Sequence, residues 1–128
     1  MATGNANTHF VSVPGVRLGA VAAGIRADGR NDLVLMEFAA GSTSAGVFTR
    51  NLFAAAPVQV GRRHLESMSP RYFLINSGNA NAGVGDAGIA DALHSCESLA
   101  RVTGVRPEEI IPFSTGVIGE RLPVDKIE

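Results

Sequence analysis

The sequence predicts a layered α/β domain, a mixed sheet carrying crossover helices, and three observations support it. Two apolar runs have strand length, Leu33-Val34-Leu35-Met36-Glu37-Phe38 and Tyr72-Phe73-Leu74-Ile75. One long stretch, from Asp86 to Thr103, repeats apolar residues at helical spacing. A further strand-like run follows that helix, so strands and helices alternate through the second half. At 128 residues the chain is one domain at most. It is long enough to hide roughly two-thirds of its unfolded surface.

Taken in order, residues 1–10 are small and polar and are expected to be flexible. Val16 to Ile25 is a small-residue strand candidate, closed by the turn-like Asp28-Gly29-Arg30-Asn31. Leu33–Phe38 is nearly continuous in apolar residues, as expected of a strand covered on both faces. Gly41-Ser42 breaks it, and Ala45-Gly46-Val47-Phe48-Thr49 is a third short strand candidate. Three adjoining strands with tight connections suggest an antiparallel start.

Pro57 suits the first position of a helix, and Val58 to Glu66 can continue it, although Gly61 weakens the case. Tyr72–Ile75 is a buried strand by composition. Asp86 is placed to cap the next helix, whose apolar face is Ile89, Ala92, Leu93, Cys96, Leu99, Ala100 and Thr103. Asp91, His94, Ser98 and Arg101 are assigned to its solvent face, and Gly104 to its C-terminal stop. Pro107 leads into the strand Glu109-Ile110-Ile111-Pro112-Phe113, which ends at Ser114-Thr115-Gly116. Asp125, Lys126 and Glu128 read as a solvated helix face.

Composition removes several function classes. Hydrophobic residues make up 45% and charged residues 18%, which is ordinary for a globular domain. A formal net charge of −1 with no basic run argues against nucleic acid, which requires clustered Lys and Arg. No apolar stretch approaches a membrane span, and the first dozen residues lack the basic and apolar regions of a secretory signal. A lone Cys96 fits a reducing cytosol. The abundance of Gly and Ala, with no Trp and a single Tyr, points to close backbone approaches rather than an aromatic core.

Three segments could carry chemistry. Gly83-Val84-Gly85-Asp86-Ala87-Gly88 matches G-x-G-x-x-G, but Asn76 to Ala82 separate it from the strand it should follow. It is read as a glycine-rich turn into a helix. Asn76-Ser77-Gly78-Asn79-Ala80-Asn81-Ala82 is expected as an irregular loop at a strand end. Its amides either hold the loop through its own backbone or face a ligand, and both are open. Thr115 and Gly116 can supply two donors, a hydroxyl and an approachable backbone N–H, to one oxygen. Two fixed donors are what an oxyanion hole needs. Cys96 reads as a core thiol, and His9, His64 and His94 show no metal-ligand spacing, so neither a metal nor a bound cofactor is expected.

Several blocks together resemble one family. Val13-Pro14-Gly15-Val16-Arg17-Leu18-Gly19 with Ala23-Gly24-Ile25-Arg26 is similar to the opening of the ornithine acetyltransferase family, also called bifunctional ArgJ. So are Ala45-Gly46-Val47-Phe48-Thr49-Arg50-Asn51 with Ala55-Ala56-Pro57-Val58, and the Asn-rich stretch Ile75 to Ala82. Phe113-Ser114-Thr115-Gly116-Val117-Ile118-Gly119-Glu120, with Leu122-Pro123 behind it, is the most specific match. The resemblance runs from about Val11 to Glu128, so residues 11–128 are expected to be the N-terminal part of the family's α chain.

What the resemblance implies is an αββα-type sandwich of mixed sheets and helices, incomplete here without the C-terminal part. It also implies acetyl transfer from N-acetylornithine to glutamate in arginine biosynthesis, with acetyl-CoA as a possible second substrate. The family's nucleophile is a threonine freed by self-cleavage, and it forms an acyl-enzyme. Its oxyanion pair maps onto Thr115 and Gly116, and its assembly is a cytoplasmic α2β2 heterotetramer. The nucleophile lies outside this chain, so the chain alone is expected to be inactive. A related N-terminal-nucleophile aminopeptidase or amidase, and a non-catalytic binding module, are the alternatives.

Overall fold

The computed structural model describes residues 11–128, so the flexible stretch expected at residues 1–10 lies outside the described residues. The main elements are β1 (Val16–Val21), β2 (Leu33–Phe38), α1 (Ala56–Ser67), β3 (Tyr72–Asn79), α2 (Asp86–Thr103) and β4 (Ile110–Val117). One sheet contains all four strands in the order β1-β2-β3-β4. The β1–β2 and β2–β3 pairs are antiparallel, while β3 and β4 run parallel and are joined through α2. A parallel pair needs such a crossover, so the second half is α/β, while the antiparallel start is made by β1, β2 and β3 rather than by the third strand expected at Ala45–Thr49.

Strand alternation sorts side chains onto two faces. Tyr72, Leu74 and Ile110 point toward the helices and form the buried core with Cys96 and Ala100 of α2, flanked by Leu33, Leu35 and Leu99. Phe73 and Phe113 point the other way and join Phe38 in an edge-to-face row with ring centroids 4.7 and 5.0 Å apart. That second face is open: Leu18 is 70% exposed and Phe113 42%. Every residue of β2 is half-buried, so it is not the doubly covered strand its composition suggests.

Other expectations shift. Ala45–Thr49 forms no strand; Gly46 instead packs beneath Leu65 of α1, and Arg62 lies 5.4 Å over the Phe48 ring. β1 ends at Val21 rather than Ile25, because Ala23 and Arg26 donate their N–H groups to Asp32 across the hairpin instead of to a strand. Helix α1 starts two residues before Val58, with Pro57 in its first turn. Its Gly61 has a packing reason: a Cβ there would sit 3.2 Å from Ile111 of β4, so glycine lets helix and strand approach closely.

The long helix is present, but its capping and polar face differ. Gly85 is the N-cap, and no side chain caps the helix, so Asp86 merely occupies the first turn. Gly104 ends it in the left-handed conformation, as expected. Asp91 and Ser98, assigned to solvent, are buried. The reason is tertiary: Arg121 reaches back to Asp91, and the chain end folds over α2 so that Ser98 donates to Glu128. His94 stays half-exposed and pairs with Glu128. Asp125 and Lys126 lie on a short 3-10 turn, Val124–Lys126, rather than an α-helix, and Glu128 lies beyond it against α2.

Candidate functional site

Both candidate segments lie at one end of the parallel pair. Asn76 to Asn79 belong to β3, and Ser114 to Val117 belong to β4, so neither is the loop or turn expected from residue type. The pairing is regular from Tyr72↔Ile110 to Ser77↔Thr115 and then slips at Gly78 and Asn79. A bulge of this kind re-aims the residues around it.

The slip rests on Gly116. Its φ is +134°, and a Cβ there would overlap the Gly78 carbonyl carbon and fall 2.6 Å from the Asn79 nitrogen. No residue with a side chain fits while the strands stay in place. Thr115 and Gly116 are both exposed, and Thr115 shares the open face with Phe113.

The asparagines answer the question left open by the sequence. Asn76, Asn79 and Asn81 are 3%, 5% and 0% exposed and face the protein rather than a ligand space. Asn76 donates to the Asn79 carbonyl at 2.8 Å and accepts from Ser114 Oγ at 2.6 Å, bridging the two strands. Asn79 donates to the carbonyls of Glu120 and Arg121 and accepts from the Asn81 N–H. Asn81 donates to the Gly88 carbonyl in α2. The Asn-rich stretch is therefore a structural knot that fixes the bulge, the segment after β4 and the start of α2.

The same contacts dispose of the dinucleotide pattern. Gly88 is needed where Asn81 Oδ1 would lie 2.6 Å from an added Cβ, and Gly85 is the helix N-cap. These glycines serve the turn and the packing.

Charged groups border the site. Arg121 holds the post-β4 segment to Asp91 with two bonds of 2.7 and 2.6 Å. Arg26 donates to Ser77 Oγ at 3.3 Å and to Asp28 at 2.8 Å, and Arg30 binds the same Asp28 carboxylate. Hydrogen bonds from Arg26 and then Arg30 hold the Asp28 carboxyl well below the usual range. Asp32 is buried and accepts from the N–H of Ala23 and of Arg26, both at 2.7 Å. The Arg26 bond is the main cause that lowers its pKa too. Asp32 carries no sequence signal, Arg26 lies in a family block without a role of its own, and Asp91 reads as a solvent residue; their partners in space single them out.

The remaining candidates fall away from the site. Cys96 is fully buried, and desolvation pushes its thiol up to about 12. His64 is buried in α1 with Nδ1 2.7 Å from the Ile110 carbonyl. Among the described residues no cluster of three His, Cys, Asp or Glu could hold a metal, and no helix is long and apolar enough to cross a membrane. His9 lies outside the described residues.

Comparison with known proteins gives a consistent picture. The model of the ArgJ family matches residues 17–128. The chain is 56% identical over 115 residues to the arginine biosynthesis bifunctional protein ArgJ of Methylococcus capsulatus, covering 90% of this chain and 28% of that protein. It is 53% identical over 116 residues to the same-named protein of Pseudomonas syringae pv. tomato, covering 91% of this chain and 28% of the relative. The chain thus spans under a third of the length of the curated relatives it matches. The crystal structure of ArgJ from Bacillus halodurans superposes with a TM-score of 0.84 at 31% identity, over 89% of this chain and 60% of that one. Ornithine acetyltransferase from Mycobacterium tuberculosis, solved with ornithine, superposes with a TM-score of 0.79 at 42% identity, over 89% and 62%.

Proposed function

The chain belongs to the ArgJ family, and on that premise we propose that it forms part of an acetyltransferase of arginine biosynthesis that moves acetyl from N-acetylornithine to glutamate. Thr115 and Gly116 are its oxyanion donors. The observation that carries this reading is the family match running through a Thr-Gly pair that stands exposed on a bulged strand end. A site that must bind a developing negative charge needs donors that are rigid before the reaction starts. The Asn76–Ser114 bridge and the Gly78–Gly116 contact supply that rigidity.

In this reading a threonine hydroxyl from outside the chain attacks the acetyl carbonyl of N-acetylornithine, and its own amine takes the proton. The carbonyl oxygen becomes negative and is held by Thr115 Oγ1 and the Gly116 N–H. Collapse breaks the C–N bond, ornithine leaves with the proton, and the acetyl ester remains. The glutamate amine then attacks the ester and regenerates the hydroxyl. Acetyl-CoA can serve the same ester as a second donor. No bound cofactor takes part. Self-cleavage to free the nucleophile and an α2β2 assembly in the cytoplasm complete the proposal.

The test is an acetyl-transfer assay on the protein made from its whole reading frame. Ornithine release that requires added glutamate is the expected result. Release without glutamate would instead indicate a hydrolase, and no release would leave a binding module. Thr115→Ala is expected to slow turnover on the order of a hundredfold, the usual effect of removing one oxyanion donor. An unchanged rate in that variant sinks the assignment of Thr115.

A further inference from the structure

Gly116 is held from one side by Gly78, and Gly78 is itself held by a corner of the chain far away in sequence. A Cβ on Gly78 would lie 2.9 Å from Arg26 Cγ and 3.1 Å from Ile25 Cγ2, so the corner rests directly on this glycine. Three layers are therefore stacked: the Ile25–Arg26 corner, Gly78 of β3 and Gly116 of β4. The corner has its own anchor. Buried Asp32 accepts from Ala23 and Arg26 through its carboxylate, while its backbone carbonyl accepts from the Ser77 N–H at 2.8 Å. One residue thus ties the corner to itself and to β3. The Arg26 side chain is pinned at its far end by Asp28 and by Ser77 Oγ, and Ser77 pairs in register with Thr115.

We infer that the Asp32-anchored corner is a brace for the oxyanion donors and that Arg26 is a positioning residue, acting on Thr115 and Gly116 through Ser77 and Gly78. The inference rests on the acetyltransferase reading. Ala23 to Arg26 does not touch the acetyl group; it keeps the strand behind the donors from retreating. Fixed donors stabilise the transition state far more than the ground state, so loosening them lowers kcat and leaves KM alone.

The experiment is steady-state kinetics on the whole protein, unsubstituted and with Arg26→Ala and Arg26→Lys, each checked for its thermal midpoint. Arg26→Ala is expected to lower kcat on the order of tenfold, less than outright removal of a donor, with both KM values within about twofold. Arg26→Lys keeps the stem over Gly78 and a cation for Asp28, and it is expected to restore most of the rate. An unchanged kcat in Arg26→Ala overturns the brace. So does a raised KM with kcat intact, which would make Arg26 a contact to a substrate carboxylate. A loss of rate that Arg26→Lys fails to restore, alongside a lowered midpoint, also overturns it in favour of a general loss of folding. Absence of transfer in the unsubstituted protein overturns the acetyltransferase reading itself, and the brace with it.

Discussion

The two halves of the β3–β4 pair are built by opposite rules. In the first half, Tyr72–Ile75 lies beside Ile110–Phe113 in regular register, and apolar side chains alternate between the helices and the open face. In the second half, Asn76–Asn79 lies beside Ser114–Val117, and the register slips where two glycines meet. The first half is held by burial. The second keeps its pairing but adds side-chain amides to it, with Asn76 bridging to Ser114 and Asn79 to the segment beyond β4. Apolar burial is non-directional, whereas a bulge fixed by directed hydrogen bonds holds its backbone in one geometry. The difference suggests that the apolar half exists to hold the irregular half still.

The largest expected effect breaks the irregular half at its tightest point. Gly116→Ala places a Cβ against Gly78 and Asn79 at a φ of +134°. Strain of this kind costs about 1–3 kcal/mol, and relief requires β4 to move away from β3, carrying the Gly116 N–H with it. Acetyl transfer by the whole protein is expected to fall by at least ~10², as for a lost oxyanion donor. Denaturant unfolding is expected to show a loss beyond that strain alone, because the overlapped atoms are backbone and the strands must part to relieve it. Retention of near-normal activity would mean that the close approach of the strands has no part in the chemistry.

That division also explains what the sequence could reveal. Leu33–Phe38, Tyr72–Ile75 and the helix ending at Gly104 were legible because hydrophobic spacing reports burial directly. Asn76–Asn79 was expected as a loop because Asn, Ser and Gly favour turns, and the pairing that overrides this comes from β4, some forty residues further on. Asp91 and Ser98 were assigned to solvent because helical spacing says nothing about a later segment folding over them. The proposal of Thr115 and Gly116 as donors leans on the family blocks around them, since the residues alone offer only a weak hint in a commonplace Ser-Thr-Gly turn. Arg26 stands in a family block but with no role attached to it, and Asp32 left no trace at all, since a buried carboxylate receiving backbone N–H groups looks in sequence like any hairpin aspartate.

An intermediate effect comes from the apolar half. Ile110 is fully buried between Tyr72, Leu74 and Cys96, and its carbonyl accepts from His64. Ile110→Ala is expected to lower the unfolding free energy by about 2–5 kcal/mol, the range for emptying a large aliphatic site in a packed core. Its kcat is expected to remain within a few-fold of the unsubstituted protein, in contrast to Gly116→Ala. If Ile110→Ala instead costs as much activity as Gly116→Ala while the protein stays folded, the two halves do not divide stability from chemistry.

The smallest effect tests how firmly the helix-covered face is shut. Burial pushes the Cys96 thiol up to about 12, against an ordinary value near 8.5 in an unfolded chain. A raised value favours the neutral thiol in the folded state. The stabilisation from keeping it neutral is therefore complete below about pH 8.5 and declines as pH rises from there toward 12. At pH 8 the folded protein holds only ~10⁻⁴ of this thiol as thiolate, the form that reacts. A thiol reagent followed by peptide mass spectrometry is expected to leave Cys96 unlabelled in the native protein at pH 8. Labelling is expected once guanidinium unfolds the protein. Prompt labelling under native conditions would show that α2 lifts from β3 and β4 readily. The regular half could not then be the rigid support on which Thr115 and Gly116 depend.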